Sequence, residues 1–357
     1  MRKKKNVGGY GYCWPRDACF ITKALDILKM FEYSDKFYNT FCKKAQSKNG
    51  MWEQRFFVDG RIAPCWGYQI DETASVIYGV YEHFKYTNNE KVLKENLKMC
   101  EKAIEFLIKY IKNLFNIEDE DLVKKEILLK INQRDETFKH VSYDIWEMNE
   151  GIHLYSLCAI YASFNAMNNI YDIIEHEYKS NRIKLEKIYK IKKELIEYNS
   201  KIKSYIQENL YDENKKILKR NLNDSKMDIS MLGVCFPFEV FDVNEKHILN
   251  LIEKINMTLR TYTGGYLRFE NDNYLGGNNP WPIATLWMAI LYVKLGNKNA
   301  AMECLDFVVK TSTNHGFLAE QVDNNSMKSN WVIGLRLVSC NVYYIIIRNR
   351  KIKLKFI

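Results

Sequence analysis

The run Ser142-Tyr-Asp-Ile-Trp-Glu-Met-Asn-Glu150, followed at once by the apolar stretch Gly151 to Met167, decides how this chain is read. It sets carboxylates beside a tryptophan at the entrance to a helix. Asp144, Glu147 and Glu150 are three apart, so they share one face if the helix begins early enough. A carboxyl next to an indole is partly desolvated, which raises its pKa and lets it hold a proton near neutral pH. That suits a general acid. The same residues also suit a plain helix N-terminus, where the helix dipole favours acids, so the rest of the chain must decide.

On the N-terminal side, Gly8-Gly-Tyr-Gly-Tyr-Cys-Trp-Pro-Arg-Asp17 is a glycine- and aromatic-rich loop. Pro15 suits a first helical turn, and Ala18 to Phe31 continues with helical spacing. Ser34 caps a second helix through Ala45. A long loop from Gln46 to Gly67 holds Trp52, Arg55 and Trp66, with a tight turn at Asp59-Gly60. Gln69 to Lys85 and Glu90 to Asn113 read as helices joined by Thr87-Asn-Asn89. A short helix is expected around Leu122 to Ile131.

On the C-terminal side, Ile188, Ile191, Leu195, Tyr198, Ile202 and Tyr205 mark a long amphipathic helix. A short helix is expected over Ile229 to Phe238. Further helices fall at Asn244 to Tyr262, Pro282 to Leu295, Asn299 to Thr311 and Trp331 to Ile347. A second glycine-rich loop runs from Thr263 to Trp281, and a polar loop from Asn314 to Asn330. Long loops bearing Trp, Arg, Asp or Glu alternate with short plain joints. Helical hairpins arranged in a ring produce that alternation. About eleven helices are expected, where a closed (α/α)6 barrel has twelve.

Composition narrows the function classes. The chain has 357 residues, enough for one large domain or two ordinary ones. Its net charge is +9, but Lys and Glu are mixed along it, without the basic stripe that nucleic-acid binding needs. Nine cysteines are scattered with no C-x-x-C pair, which points to reduced thiols in a cytoplasmic protein and away from a zinc site. Neither a signal peptide nor a membrane-spanning apolar run is legible. No cofactor is expected.

Four loop motifs share one chemistry. Trp14-Pro-Arg-Asp17, Trp66-Gly-Tyr-Gln-Ile-Asp71, Arg268 with Tyr274 to Trp281, and Ala319-Glu-Gln321 place indoles among guanidinium, amide and carboxylate groups. A sugar ring offers C–H faces to stack on rings and hydroxyls to be held in pairs. One such motif is ordinary loop packing. Four in one helical array suggest a sugar site.

Five ordered motifs then resemble the glucoamylase family of glycoside hydrolases, which also holds glucodextranases and microbial trehalases, and most of all its prokaryotic members. They are Gly8 to Asp17, Trp66-Gly-Tyr-Gln-Ile-Asp-Glu-Thr73, Tyr143-Asp-Ile-Trp-Glu147, Tyr274-Leu-Gly-Gly-Asn-Asn-Pro-Trp281 and Leu318-Ala-Glu-Gln321. The resemblance implies an all-α (α/α)6 barrel over residues 1–357 as a single catalytic domain, with residues 168–220 a variable long-helix region. It implies release of glucose from non-reducing ends of α-glucans with inversion. Glu147 would be the general acid and Glu320 the general base. Arg16 and Asp17, with Arg268, would grip the terminal glucose. Trp14, Trp66, Gln69, Asp71, Trp146 and Trp281 would line the pocket. The two carboxyls of an inverting enzyme stand roughly 6.5–9.5 Å apart. Glu147 beside Trp146 is suited to stay protonated, with Asp144 and Glu150 helping to set its pKa. Glu320, in a polar loop with Gln321 and Asp323, is suited to ionise.

Two departures from the family pattern are visible. The family's N-terminal β-sandwich and the barrel's first helix have no counterpart before Trp14, so a separate chain is a candidate to supply that part. Near the end, Leu337 stands where a tryptophan is expected and Arg336 where a threonine is. Other readings stay open: an α,α-trehalase on the same scaffold, or a catalytically inactive carbohydrate-binding or regulatory barrel, similar to the regulatory subunits of phosphorylase kinase.

Overall fold

The computed structural model describes residues 11–65, 67–115 and 142–333. Trp66, the expected helix at Leu122 to Ile131 and the chain beyond Ile333 lie outside the described residues. The described chain forms two compact units. One runs up to Ile152 and includes Ala159–Lys201. The other comprises His153–Cys158 and the residues from Ile202 onward.

In the first unit, the short strand β1 (Tyr12–Cys13) leads into α1 (Pro15–Ile27), with Pro15 in the first turn where its missing N–H costs nothing. α2 (Phe31–Lys36) runs on through a π-helical segment, Phe37–Cys42, into α3 (Lys43–Ala45). The expected second helix is therefore present but irregular. β2 (Phe56–Phe57) pairs antiparallel with β1 through Tyr12↔Phe57 and Cys13↔Phe56.

α4 (Ile70–Thr87) and α5 (Glu90–Phe115) form an antiparallel hairpin. Its joint is written in three residues. Asn88 takes a left-handed φ of 49° and closes α4 with an N–H bond to Phe84 O. Asn89 Oδ1 then accepts the Lys91 N–H and starts α5. α5 buries Leu93, Leu97, Cys100, Ile104, Leu107, Ile111 and Leu114, one face at helical spacing. Each large aliphatic side chain so enclosed contributes about 1.5–3 kcal/mol. α4 lies between neighbours and is buried almost all round, and it packs on both α1 and α5. Gly79 makes that fit: a Cβ there would stand 2.4 Å from Tyr38 Oη and 3.1 Å from Cys19 Sγ.

The chain returns through a two-stranded hairpin, β3 (Ser142–Tyr143) and β4 (Glu150–Gly151), and then enters α6 (Leu154–Ile174). This corrects the expected helical placement of Asp144, Glu147 and Glu150, which sit on a hairpin and share no helical face. α7 (Arg182–Asn209) is the long amphipathic helix expected, with Ile188, Leu195, Ile202 and Ile206 buried.

In the second unit, β5 (Tyr211–Asp212) pairs with β6 (Ile217–Leu218). Ile229–Val234 is a 3₁₀ turn, shorter than the helix expected to Phe238, and Asp228 caps it by accepting the Ser230 N–H. α8 (Lys246–Leu259) buries Ile248, Leu251, Ile252, Ile255 and Leu259. α9 (Pro282–Lys294) and α10 (Lys298–Lys310) repeat the α4–α5 joint: Gly296 at φ 74°, then Asn297 accepting the Ala300 N–H. β7 (Ala319–Val322) and β8 (Ser329–Ile333) form a hairpin where a loop and a helix start were expected. Among the described residues, no helix is long and apolar enough to cross a membrane.

Candidate active site

In the first unit, the N-termini of α1 and α4 carry the site residues. Trp14 precedes α1 at the end of β1, and the β1–β2 pairing fixes where it stands. The Arg55 guanidinium lies over the rings of Tyr12 and Trp14, 4.9 and 5.6 Å from their centroids, and its Nε donates to Pro64 O. Trp14 Nε1 donates to Glu147 Oε1 at 2.6 Å. Trp14 thus puts an indole N–H on the candidate acid.

Asp144 holds Glu147 in place. Its Oδ1 accepts the backbone N–H of Trp146 and of Met148, its Oδ2 accepts Asn149 Nδ2, and its carbonyl accepts the Glu147 N–H. The loop so folded puts Glu147 at a left-handed φ of 61°. A non-glycine residue held there costs about 1–3 kcal/mol and persists only where the surroundings impose it. Burial is the chief influence on the Glu147 carboxyl and raises its pKa. The Trp14 hydrogen bond and the Arg16 charge pull it down, Asp17 pushes it up, and Arg55 pulls it down, with a net rise. Asp144 is spent on the loop, so the expected pKa-setting role belongs to Trp14, Arg16, Asp17 and Arg55.

Arg16 is buried, and three carboxylates surround it. Its Nη1 reaches Asp71 Oδ2 at 2.8 Å and Glu72 Oε1 at 3.2 Å, and its Nε reaches Asp17 Oδ1 at 3.1 Å. Asp71 and Glu72 are fully enclosed, whereas the Asp17 side chain keeps 30% of its exposure. Asp17 is thus half-buried, with Arg16 backing its carboxylate from within. Burial raises the Asp17 and Glu72 carboxyls above the usual carboxylate range against the pull of the Arg16 charge, and the positive ends of α1 and α4 favour the negative charge that is held here. Gln69 Nε2 donates to Asp144 O at 2.6 Å. Gln69 Oε1 and Asp71 Oδ1 are buried acceptors with no hydrogen-bond partner among the described residues. The hairpin is tied to α4 by Ser142 Oγ, which accepts the Ile70 N–H, and by Tyr143 N–H to Tyr68 O. A Cβ on Gly67 would collide with the Tyr143 ring at 2.1 Å, so only glycine allows that approach.

In the second unit, Arg268 grips Asp272 in a bidentate pair, Nε to Oδ2 and Nη2 to Oδ1, both 2.8 Å. Its guanidinium lies 4.0 Å from the Trp281 ring centroid and 5.1 Å from that of Tyr274. Pairing and stacking hold it flat, as a planar fork allows. Glu320 is half-buried on β7, a strand where a polar loop was expected. The β7–β8 register slips between Ala319 and Gln321. Such bulges re-aim a side chain and are frequent beside active sites. Its neighbour Gln321 is buried, accepting Asn279 Nδ2 and donating to Tyr274 O.

Sequence reasoning missed Glu72, Arg55 and Asn279 as site residues. Glu72 and Asn279 stood inside quoted motifs and Arg55 in a named loop, but their partners are distant in sequence. Among the described residues, one carboxylate–imidazole group, Glu90, His176 and Glu177, has ligand atoms close enough to share a cation. Lys94 already pairs with both of its glutamates, at 3.1 and 2.9 Å.

The profile described as glycosyl hydrolases family 15 matches residues 131–329. An uncharacterized glycosyl hydrolase of Methanocaldococcus jannaschii is 26% identical over 288 residues, 80% of this chain and 40% of that protein. Trehalase 1 of Sulfolobus acidocaldarius is 23% identical over 261 residues, 73% of this chain and 38% of that protein. The chain thus spans about two fifths of the length of the curated relatives it matches. A bacterial glucoamylase solved in complex with acarbose superimposes with a TM-score of 0.71 at 16% identity, over 97% of this chain and 50% of that one. The fold is the all-α (α/α)6 barrel of these glycosidases.

Proposed function

The chain belongs to glycosyl hydrolases family 15, and on that premise we propose that it cleaves α-glucosidic bonds, releasing glucose from the non-reducing ends of α-glucans or maltooligosaccharides with inversion. Glu147 gives its proton to the glycosidic oxygen as the bond from that oxygen to C1 breaks, and the bonding electrons leave with the oxygen. Water attacks C1 from the opposite face while Glu320 takes the water's proton. Asp17, backed by Arg16, accepts hydroxyl protons of the terminal glucose. Gln69 Oε1 and Asp71 Oδ1 are buried acceptors for further hydroxyls or ordered water. In the second unit, Arg268 and Trp281 are buried against each other and back the loop that carries the motif from Tyr274 to Trp281.

The observation that carries this reading is Glu147 itself: a half-buried carboxyl on a residue at a left-handed φ, partly withdrawn from water and fed a hydrogen bond by Trp14. Its raised pKa keeps it protonated further up the pH scale, as a general acid must be.

A second reading, α,α-trehalase, is favoured by the similarity to Trehalase 1. It uses the same acid and base. Glucose release from maltotriose, starch and trehalose separates the two. Release from maltotriose and starch supports the glucoamylase reading, and release from trehalose alone supports the other. A folded protein that releases glucose from none of them contradicts both.

A further inference from the structure

Glu72 has no part in the mechanism above, yet it meets the site at its base. It lies in the first turn of α4, fully enclosed, and its Oε2 accepts the backbone N–H of Arg16 at 2.6 Å. Arg16 is the second residue of α1, so that N–H is one of the donors a helix start leaves unsatisfied. Trp14 gives α1 no side-chain cap, and Pro15 has no N–H to give. Glu72 therefore caps α1 from a neighbouring helix. Its other oxygen stands 3.2 Å from Arg16 Nη1, so one carboxyl holds both the backbone and the side chain of Arg16.

That grip sets more than Arg16. Trp14, Arg16 and Asp17 all sit on the first turn of α1 or the residue before it. The Trp14 indole leads directly to Glu147. We infer that Glu72 is a positioning residue that fixes the first turn of α1, and through it both the Asp17 carboxylate offered to the sugar and the Trp14 donor on the acid. This inference rests on the proposed roles of Trp14, Asp17 and Glu147. What matters is the reach of Glu72: its oxygen has to arrive at the Arg16 N–H.

Two conservative variants separate reach from charge. Glu72→Gln keeps the reach and loses the charge. Glu72→Asp keeps the charge and withdraws the oxygens by a methylene. Two readouts are taken for each. One is kcat and KM on whichever α-glucoside the parent hydrolyses. The other is the indole N–H resonance of Trp14 in protein labelled with ¹⁵N-tryptophan, assigned with Trp14→Phe. The expected result is a parental Trp14 resonance and near-parental kcat in Glu72→Gln. In Glu72→Asp the resonance should move and kcat should fall roughly 10- to 100-fold, the size of loss that a small misplacement produces.

A parental resonance and kcat in Glu72→Asp, with only a lower melting temperature, overturns the inference. So does a moved resonance or a similar loss of kcat in Glu72→Gln, which would make charge the operative property. If the parent releases no glucose, the functional reading fails by itself, and the Trp14 resonance still decides the positioning role.

Discussion

Trp14 donates its indole N–H to Glu147 Oε1 across 2.6 Å, although 133 residues separate the two in sequence. The bond does two things to the candidate acid. It fixes the carboxyl's direction, and it draws the pKa down against the burial that raises it. In Trp14→Phe the ring remains and the donor is lost. The Glu147 carboxyl then titrates higher, so the alkaline limb of the kcat profile should move to higher pH. The rate at the optimum should fall about tenfold as orientation is lost, a barrier increase of about 1.4 kcal/mol. A pH–rate profile of both proteins on one substrate measures this, and an unmoved alkaline limb contradicts the assignment.

Asp144 tests the loop rather than the acid. Asp144→Ala removes the acceptor for the N–H groups of Trp146 and Met148 and for Asn149 Nδ2. Each hydrogen bond lost costs about 0.5–1.5 kcal/mol. Glu147 should then leave its left-handed conformation, and kcat should fall about 100-fold, the effect of misplacing a catalytic group. Helical circular dichroism should hardly change, because the loop holds no helix. Retention of parental kcat would show that Asp144 does not position the acid.

Arg268 and Asp272 are both buried and paired in two hydrogen bonds. Asp272→Ala takes two hydrogen bonds from an enclosed guanidinium, and hydrogen bonds to charged groups contribute about 1.5–3 kcal/mol each. Urea unfolding should show a drop of that size in Asp272→Ala. A drop below about 1 kcal/mol, the size of an exposed pair, would mean that water reaches the guanidinium.

The helical frame was legible in the sequence because it is written locally. The pairs α4–α5 and α9–α10 each announce themselves by apolar spacing on one face and by a left-handed residue followed by a capping asparagine, Asn88-Asn89 and Gly296-Asn297. The site motifs were legible because indoles, guanidiniums and carboxylates stood together in loops. What stayed hidden depends on contacts between distant residues. The β3–β4 hairpin has two residues per strand, too few for alternation to show, and the side chain of Asp144 organises its loop. β7 and β8 flank a polar turn and read as loop and helix. Glu72 stood inside a quoted motif, but its role needs the N-terminus of another helix to be known.

His83 gives the fold a pH dependence of its own. It is fully buried, with Nδ1 2.8 Å from Asp26 Oδ1 and Nε2 3.2 Å from Asp35 Oδ1. Burial opposes its charge, but the hydrogen bonds and charges of Asp26 and Asp35 outweigh that, and its pKa is raised. The stability it contributes is therefore complete below the unfolded value of about 6.5 and is lost as pH rises through the folded value. Urea unfolding at about pH 6 and about pH 9 should show a decline in the parent that is smaller in His83→Gln. Equal declines would remove His83 from the account.

The roles proposed for Glu147 as acid and Glu320 as base require inversion at C1. Proton NMR of the glucose released reads the anomer before mutarotation. Inversion gives β-glucose first from maltotriose, or α- and β-glucose in equal amounts from trehalose, and Glu147→Gln should release neither at the parental rate. α-Glucose first from maltotriose, α-glucose alone from trehalose, or parental hydrolysis by Glu147→Gln would contradict these roles.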